Sequence, residues 1–251
     1  MQNDYSLETL AKSHEKERLS FKQDFPDIVE CIDFILFMTK SYQTALLQSC
    51  SDQLSTNLIM LIPRFQSYFE QSVLLAVEGR IDESYALLRM STEVMRDIHK
   101  LLRDEGSESD RIYSNRTSDE GKYRKRFKFR TSHGPSKLAL ELYSISSKFG
   151  IHGHNMTMAS SMRETTKMET PFGDFVVLKM TNLGKMPAIH LWLKAVFPLY
   201  AMLLDARADG MKQPHTALLE LEPLLREVII HASNMADELK TNLETHYDIK
   251  V

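Results

Sequence analysis

Cysteine is nearly missing from this chain. Cys31 and Cys50 are the two in 251 residues. Both fall in one predicted helix or at its end, roughly 28 Å apart at helical rise, which excludes a disulfide between them. No C-x-x-C spacing occurs, so reduced thiols in a cytoplasmic protein are the expectation. Glycine and proline are also scarce, at 9 and 8 residues, which excludes a fibrous or low-complexity chain. Charge of one sign is not in excess. The formal net charge of −3 argues against polyanion binding over the whole surface but leaves room for a local basic patch. A long apolar run is lacking too. The best one, 188–204, contains His190, Lys194 and Pro198, so it reads as a buried core helix and no membrane is expected. The first twenty residues are polar from the start, and no signal peptide is expected there.

What is present is helical periodicity, with 43% hydrophobic and 26% charged residues. A helix is predicted from Pro26 and Asp27 to about Ser49. A second covers 52–78, with Pro63 expected to kink or break it and Gly79 to end it. The clearest signal is IDESYALLRMSTEVMRDIHKLLRDE, where Ile81, Tyr85, Leu88, Thr92, Met95, His99 and Leu102 recur at 4-3-4-3 spacing. Its polar face carries Arg89, Glu93, Arg96, Lys100 and Arg103. A helix from Ser136 or Lys137 to Gly150 and two closing helices, near 187–209 and 214–246, complete the pattern. The predicted fold is mainly α, a single bundle of about six helices with a short β hairpin or strand near 170–181. Residues 1–24 read as a polar arm, and 25–251 as one domain with a flexible insertion near 104–135.

Few residues invite chemistry. Arg89 and Glu93 are an i,i+4 pair, and Arg96 follows Glu93 at i,i+3. Such a group is either a solvated face stitched by ion pairs or an anion-binding cluster aimed into a cleft. His152 and His154, in KFGIHGHNM, either punctuate a helix end or serve as acid–base groups near neutral pH. A third metal ligand is lacking within four residues, so no metal and no cofactor is expected. In KYRKRFKFR, Arg124, Arg126, Lys128 and Arg130 nearly alternate with Tyr123, Phe127 and Phe129. As a strand, this stretch would present a cationic face for phosphates and an aromatic face for bases. The other reading is that the acidic segment 104–120 folds back on it.

Two segments carry a resemblance. YALLRMSTEVMRDI, followed by LYSISSKFGIHGHNM, resembles a group of uncharacterised bacterial helical proteins with a domain of unknown function. These share L-L-R-x-x-x-E and a later Tyr, Ser and His-Gly. The matching positions are Arg89, Glu93, Tyr143, Ser146 or Ser147, His152 and Gly153, within roughly residues 60–160. More distantly the chain is similar to HEPN-type helical domains, many of them dimeric, metal-independent ribonucleases with an R-x4-6-H motif. Here Arg126 and His133 straddle a predicted loop instead of lying on one helix.

Two expectations therefore stand. One is a metal-independent ribonuclease of toxin or phage-defence type. In it Arg89, Glu93 and His152 are catalytic, and Arg96, Tyr143, Arg124, Arg126, Lys128 and Arg130 contact RNA or another anionic ligand. The other is a non-catalytic interaction or ligand-binding module, in either case a homodimer. Convergence of Arg89, Glu93 and His152 in one cleft would separate them.

Overall fold

The computed structural model describes residues 7–49, 55–104, 107–152, 163–170, 173–211, 214 and 216–247. Among these residues nine α-helices form the body: α1 (Leu7–Asp24), α2 (Pro26–Ser49), α3 (Thr56–Val77), α4 (Ile81–Arg103), α5 (Ser107–Ser114), α6 (Glu120–Arg126), α7 (Gly134–His152), α8 (Met186–Gly210) and α9 (Thr216–Tyr247). Two strands, β1 (Arg163–Thr170) and β2 (Gly173–Met180), pair antiparallel with Arg163 opposite Met180 and Thr170 opposite Gly173. The ladder thus begins ahead of the 170–181 span marked in the sequence.

The helix count exceeds the six expected because three stretches read as arm or insertion are helical. α1 occupies most of the polar arm, and it buries Phe21 completely. α5 and α6 lie in the supposed flexible insertion, anchored by the buried Tyr113 and Phe127. Helices of eight and seven residues have little stability of their own, so composition could not reveal them; packing holds them.

α4 and α8 are central. α4 packs on α3, α7 and α8, whereas α8 packs on α9, α4, α7 and α3; α2 closes the far side between α9 and α3. The stripe of α4 read in the sequence is the buried one: Tyr85, Leu88, Thr92, Met95, His99 and Leu102 are all buried. Leu183–Gly210 is long and apolar enough to cross a membrane, but most of it is buried inside the bundle. At the α3–α8 joint Trp192 stacks on Phe69 with centroids 4.7 Å apart, and its indole N–H donates to the Phe69 carbonyl at 2.9 Å. Tyr200 meets Phe65 and Phe69 edge-on, at 5.6 Å each.

Pro63 does not divide α3, which is one element from Thr56 to Val77, capped by the Ser55 hydroxyl accepting from the Leu58 N–H. The proline forfeits a single backbone bond, while Leu61, Ile62, Phe65 and Phe69 around it are buried and hold the helix in register. Gly79 ends the run at φ 81°, a left-handed conformation suited to glycine. α7 begins at Gly134, earlier than read, and continues past Gly150 to His152.

Candidate functional site

The 4-3-4-3 spacing of Arg89, Glu93, Arg96, Lys100 and Arg103 places them on one flank of α4, beside α7 and the α5–α6 segment. Each cation there meets a carboxylate. Arg89 donates to Glu93 Oε1 at 3.2–3.3 Å, Arg96 contacts Asp97 at 2.7 Å, Lys100 reaches Asp104 at 2.7 Å, and Arg103 reaches Asp209 at 2.7 Å. The flank is electrostatically closed on itself.

Arg89, Glu93 and Tyr143 do come together. The Arg89 guanidinium lies over the Tyr143 ring, 5.1 Å from its centroid, and all three side chains stay partly exposed. Tyr143 leans on Phe129 at 5.9 Å, and Phe129 in turn lies under Arg96 at 5.6 Å. Arg96 is the better buried of the two arginines. It donates from Nε to Asp97 Oδ1 at 2.8 Å and from Nη2 to the Tyr123 hydroxyl at 2.7 Å. That hydroxyl donates to Asp97 Oδ2 at 2.7 Å. The result is a closed ring of three polar groups with Asp97 only 5% exposed. Burial pushes the Asp97 carboxyl above the usual carboxylate range, against the pull of Arg96. Burial also pushes the Tyr123 phenol up, with Asp97 adding to it. For Arg96, burial works against the charge but Asp97 and Tyr123 outweigh it, so its guanidinium is held more firmly protonated than usual.

His152, the third residue expected to be catalytic, is the last residue of α7, and its side chain lies outside the described residues, as do His154 and Gly153. Its backbone is nine residues past Tyr143, about 13 Å further along the helix.

The basic stretch is not a strand. Asp119 accepts from the Lys122 N–H at 3.2 Å and starts α6, which runs to Arg126. The aromatics point inward: Phe127 is 2% exposed, and Tyr123 and Phe129 pack against the core. They are therefore not free to stack on bases. The acidic segment does meet the basic one. Arg124 pairs with Glu120, and Arg126 reaches both Asp104 at 2.7 Å and Ser109 Oγ at 3.1 Å. Lys128 and Arg130 are exposed.

Sequence reading missed a second cluster. His133 Nδ1 accepts the Ser136 N–H at 3.3 Å and so caps α7, which leaves its Nε2–H to donate to Asp205 Oδ2 at 2.9 Å. The His99 ring is 5.4 Å away. His99 is 4% exposed, its Nε2 has no partner among the described residues, and burial first, then Arg103, His133 and Arg130, push it down to about 4. The only advance signal was His133 standing directly before Gly134-Pro135, an N-cap position; Asp205 lies too far along the chain to be linked to it. Chemically the pair is quiet. Both nitrogens of His133 are engaged, and His99 is buried and neutral.

Among the described residues no group of three or more His, Cys, Asp or Glu side chains is arranged to hold a metal ion. No family model, curated protein or solved structure matches the chain.

Proposed function

We propose that this protein is a non-catalytic helical module that binds a partner through its surface and transforms nothing. The observation that carries this reading is the internal neutralisation of the α4 flank. Arg89, Arg96, Lys100 and Arg103 each spend their charge on a carboxylate within 3.3 Å. A phosphoryl-cleaving site needs a cation free to meet the developing charge and a base with a free lone pair. The His133 imidazole, bonded at both nitrogens, supports the same conclusion. The polar residues then order helix junctions: Arg96, Asp97 and Tyr123 tie α4 to α6, while Arg89 and Tyr143 tie α4 to α7.

The test is incubation of the purified chain with mixed-sequence single-stranded RNA in chelator, followed by a denaturing gel. The RNA is expected to stay intact at enzyme-to-substrate excess. Cleavage that disappears in Arg89→Ala and in His133→Ala, both folded by circular dichroism, would sink the non-catalytic reading.

A further inference from the structure

Among the described residues several exposed cations reach no carboxylate, and four of them fall within one short segment. Lys125, Lys128, Arg130 and Lys137 are exposed, and none forms an ion pair among the described residues. Their immediate neighbours contrast with them, since Lys122, Arg124 and Arg126 each hold a carboxylate. Backbone bonds keep Arg130 and Lys137 close together, and Lys125 and Lys128 stand five and two residues before Arg130. The Arg130 N–H donates to Ser136 Oγ at 2.7 Å, the His133 N–H to the Arg130 carbonyl at 3.1 Å, and the Lys137 N–H to the His133 carbonyl at 2.9 Å. These bonds fold 130–137 into a tight turn that sets Lys137 beside the end of the basic run.

Burial alternates along 127–130: Phe127 buried, Lys128 exposed, Phe129 half-buried, Arg130 exposed. That alternation leaves Lys128 and Arg130 both on the exposed side, and two residues of extended chain span about 6.7 Å. The two phenylalanines anchor the segment in the core, so the cationic edge is held rigidly and loses little freedom on binding. The separation is close to the step between successive phosphates of an extended single strand.

We propose that the Lys125–Lys128–Arg130–Lys137 edge is a docking surface for the phosphodiester backbone of a single-stranded polynucleotide. It rests on the non-catalytic reading above, because the strand is held and not cut. With Tyr123, Phe127 and Phe129 turned into the body, no ring is offered to the bases and no group is placed to read a 2′-hydroxyl. Binding is therefore sequence-independent, and RNA and DNA bind alike. The whole chain carries a net charge of −3, so without these four cations the rest of it carries −7, which confines the attraction to this edge.

The experiment is fluorescence anisotropy with labelled twelve-nucleotide single strands of RNA and of DNA, titrated at 50 to 200 mM salt, for wild type and for Lys128→Gln/Arg130→Gln. Four phosphate contacts give a log–log salt slope of about −2.8, so affinity falls about 50-fold over that range. The double variant halves the slope to about −1.4 and the loss to about 7-fold. These are surface substitutions on exposed side chains, and unchanged thermal melting verifies the fold. A poly-glutamate peptide of equal charge is the competitor. No binding at 50 mM salt, or a slope the double variant does not change, overturns the proposal. So does displacement by poly-glutamate at equal concentration, which would assign the edge to an acidic protein instead. The same samples run on a gel keep the two readings apart: cut strands refute the non-catalytic reading and leave the edge standing, whereas absent binding removes the edge alone.

Discussion

Arg89 and Arg96 share a flank of α4, yet they are not equivalent residues. Arg89 is partly solvated, and its link to Glu93 is a surface pair, so Arg89→Ala should cost less than about 1 kcal/mol, read from urea unfolding. Arg96 sits in a buried ring with Asp97 and Tyr123. Arg96→Ala strands the Asp97 carboxylate and should cost about 3 kcal/mol, and the Arg96→Met/Asp97→Leu double variant should recover most of it. Equal costs for the two single variants would contradict this assignment. Titration adds a second prediction. His99 and His190 are each pushed down to about 4, chiefly by burial. Below about pH 6.5 the unfolded chain takes up protons that the native chain refuses until near pH 4, so stability falls as pH drops through that window. The loss is up to about 2 kcal/mol per histidine at pH 5, and it vanishes above pH 7, where both states are neutral. His99→Gln/His190→Gln should lose less melting temperature than wild type between pH 7 and pH 5. The spacing of Arg89, Glu93 and Arg96 was legible from sequence. The carboxylate that matters most was not, because Asp97 beside an arginine looks like any solvated pair until α6 closes over it.

At the scale of the element, long helices with a clean apolar stripe were legible and short ones were not. α2, α3, α4, α8 and α9 show themselves by periodicity. α5 and α6 are built from SESDRIYS and EGKYRKR, polar stretches whose anchors are a few separate residues. Their position is fixed by a knot at the C-terminus of α4, where Asp104 accepts from Lys100, Arg126 and Ser109. Close helix approach was equally invisible. Gly210, the last residue of α8, lies so near α4 that an added Cβ would stand 1.7 Å from the Leu102 carbonyl oxygen. Backbone cannot yield as a side chain tip can, so Gly210→Ala should destabilise by about 2 kcal/mol or more, measured as a lowered urea midpoint at unchanged slope. A neutral Gly210→Ala would mean the two helices are further apart than described.

Across the whole molecule, the bundle was legible as a class, and its polar seams were not. α1 shows why. It contributes the buried Phe21, but much of its attachment is polar: His14 and Arg18 to Glu78, Glu17 to Lys185, and Asn182 to Ser20 and Asp24. Lys185 has no exposed surface, and its ammonium also donates to Asn182 Oδ1 at 2.7 Å. Lys185→Met should loosen this helix first. Hydrogen exchange is expected to accelerate across Leu7–Asp24 while the amides of α3 and α8 keep their protection. Uniform acceleration would instead make α1 part of the cooperative core. The same molecule supplies its own monitor. Trp192 is the sole tryptophan, wholly enclosed, with its N–H fixed on a carbonyl of the neighbouring helix. Its emission is therefore a single-site optical signal. It should stay blue while α1 detaches, and shift to the red only when α3 and α8 part.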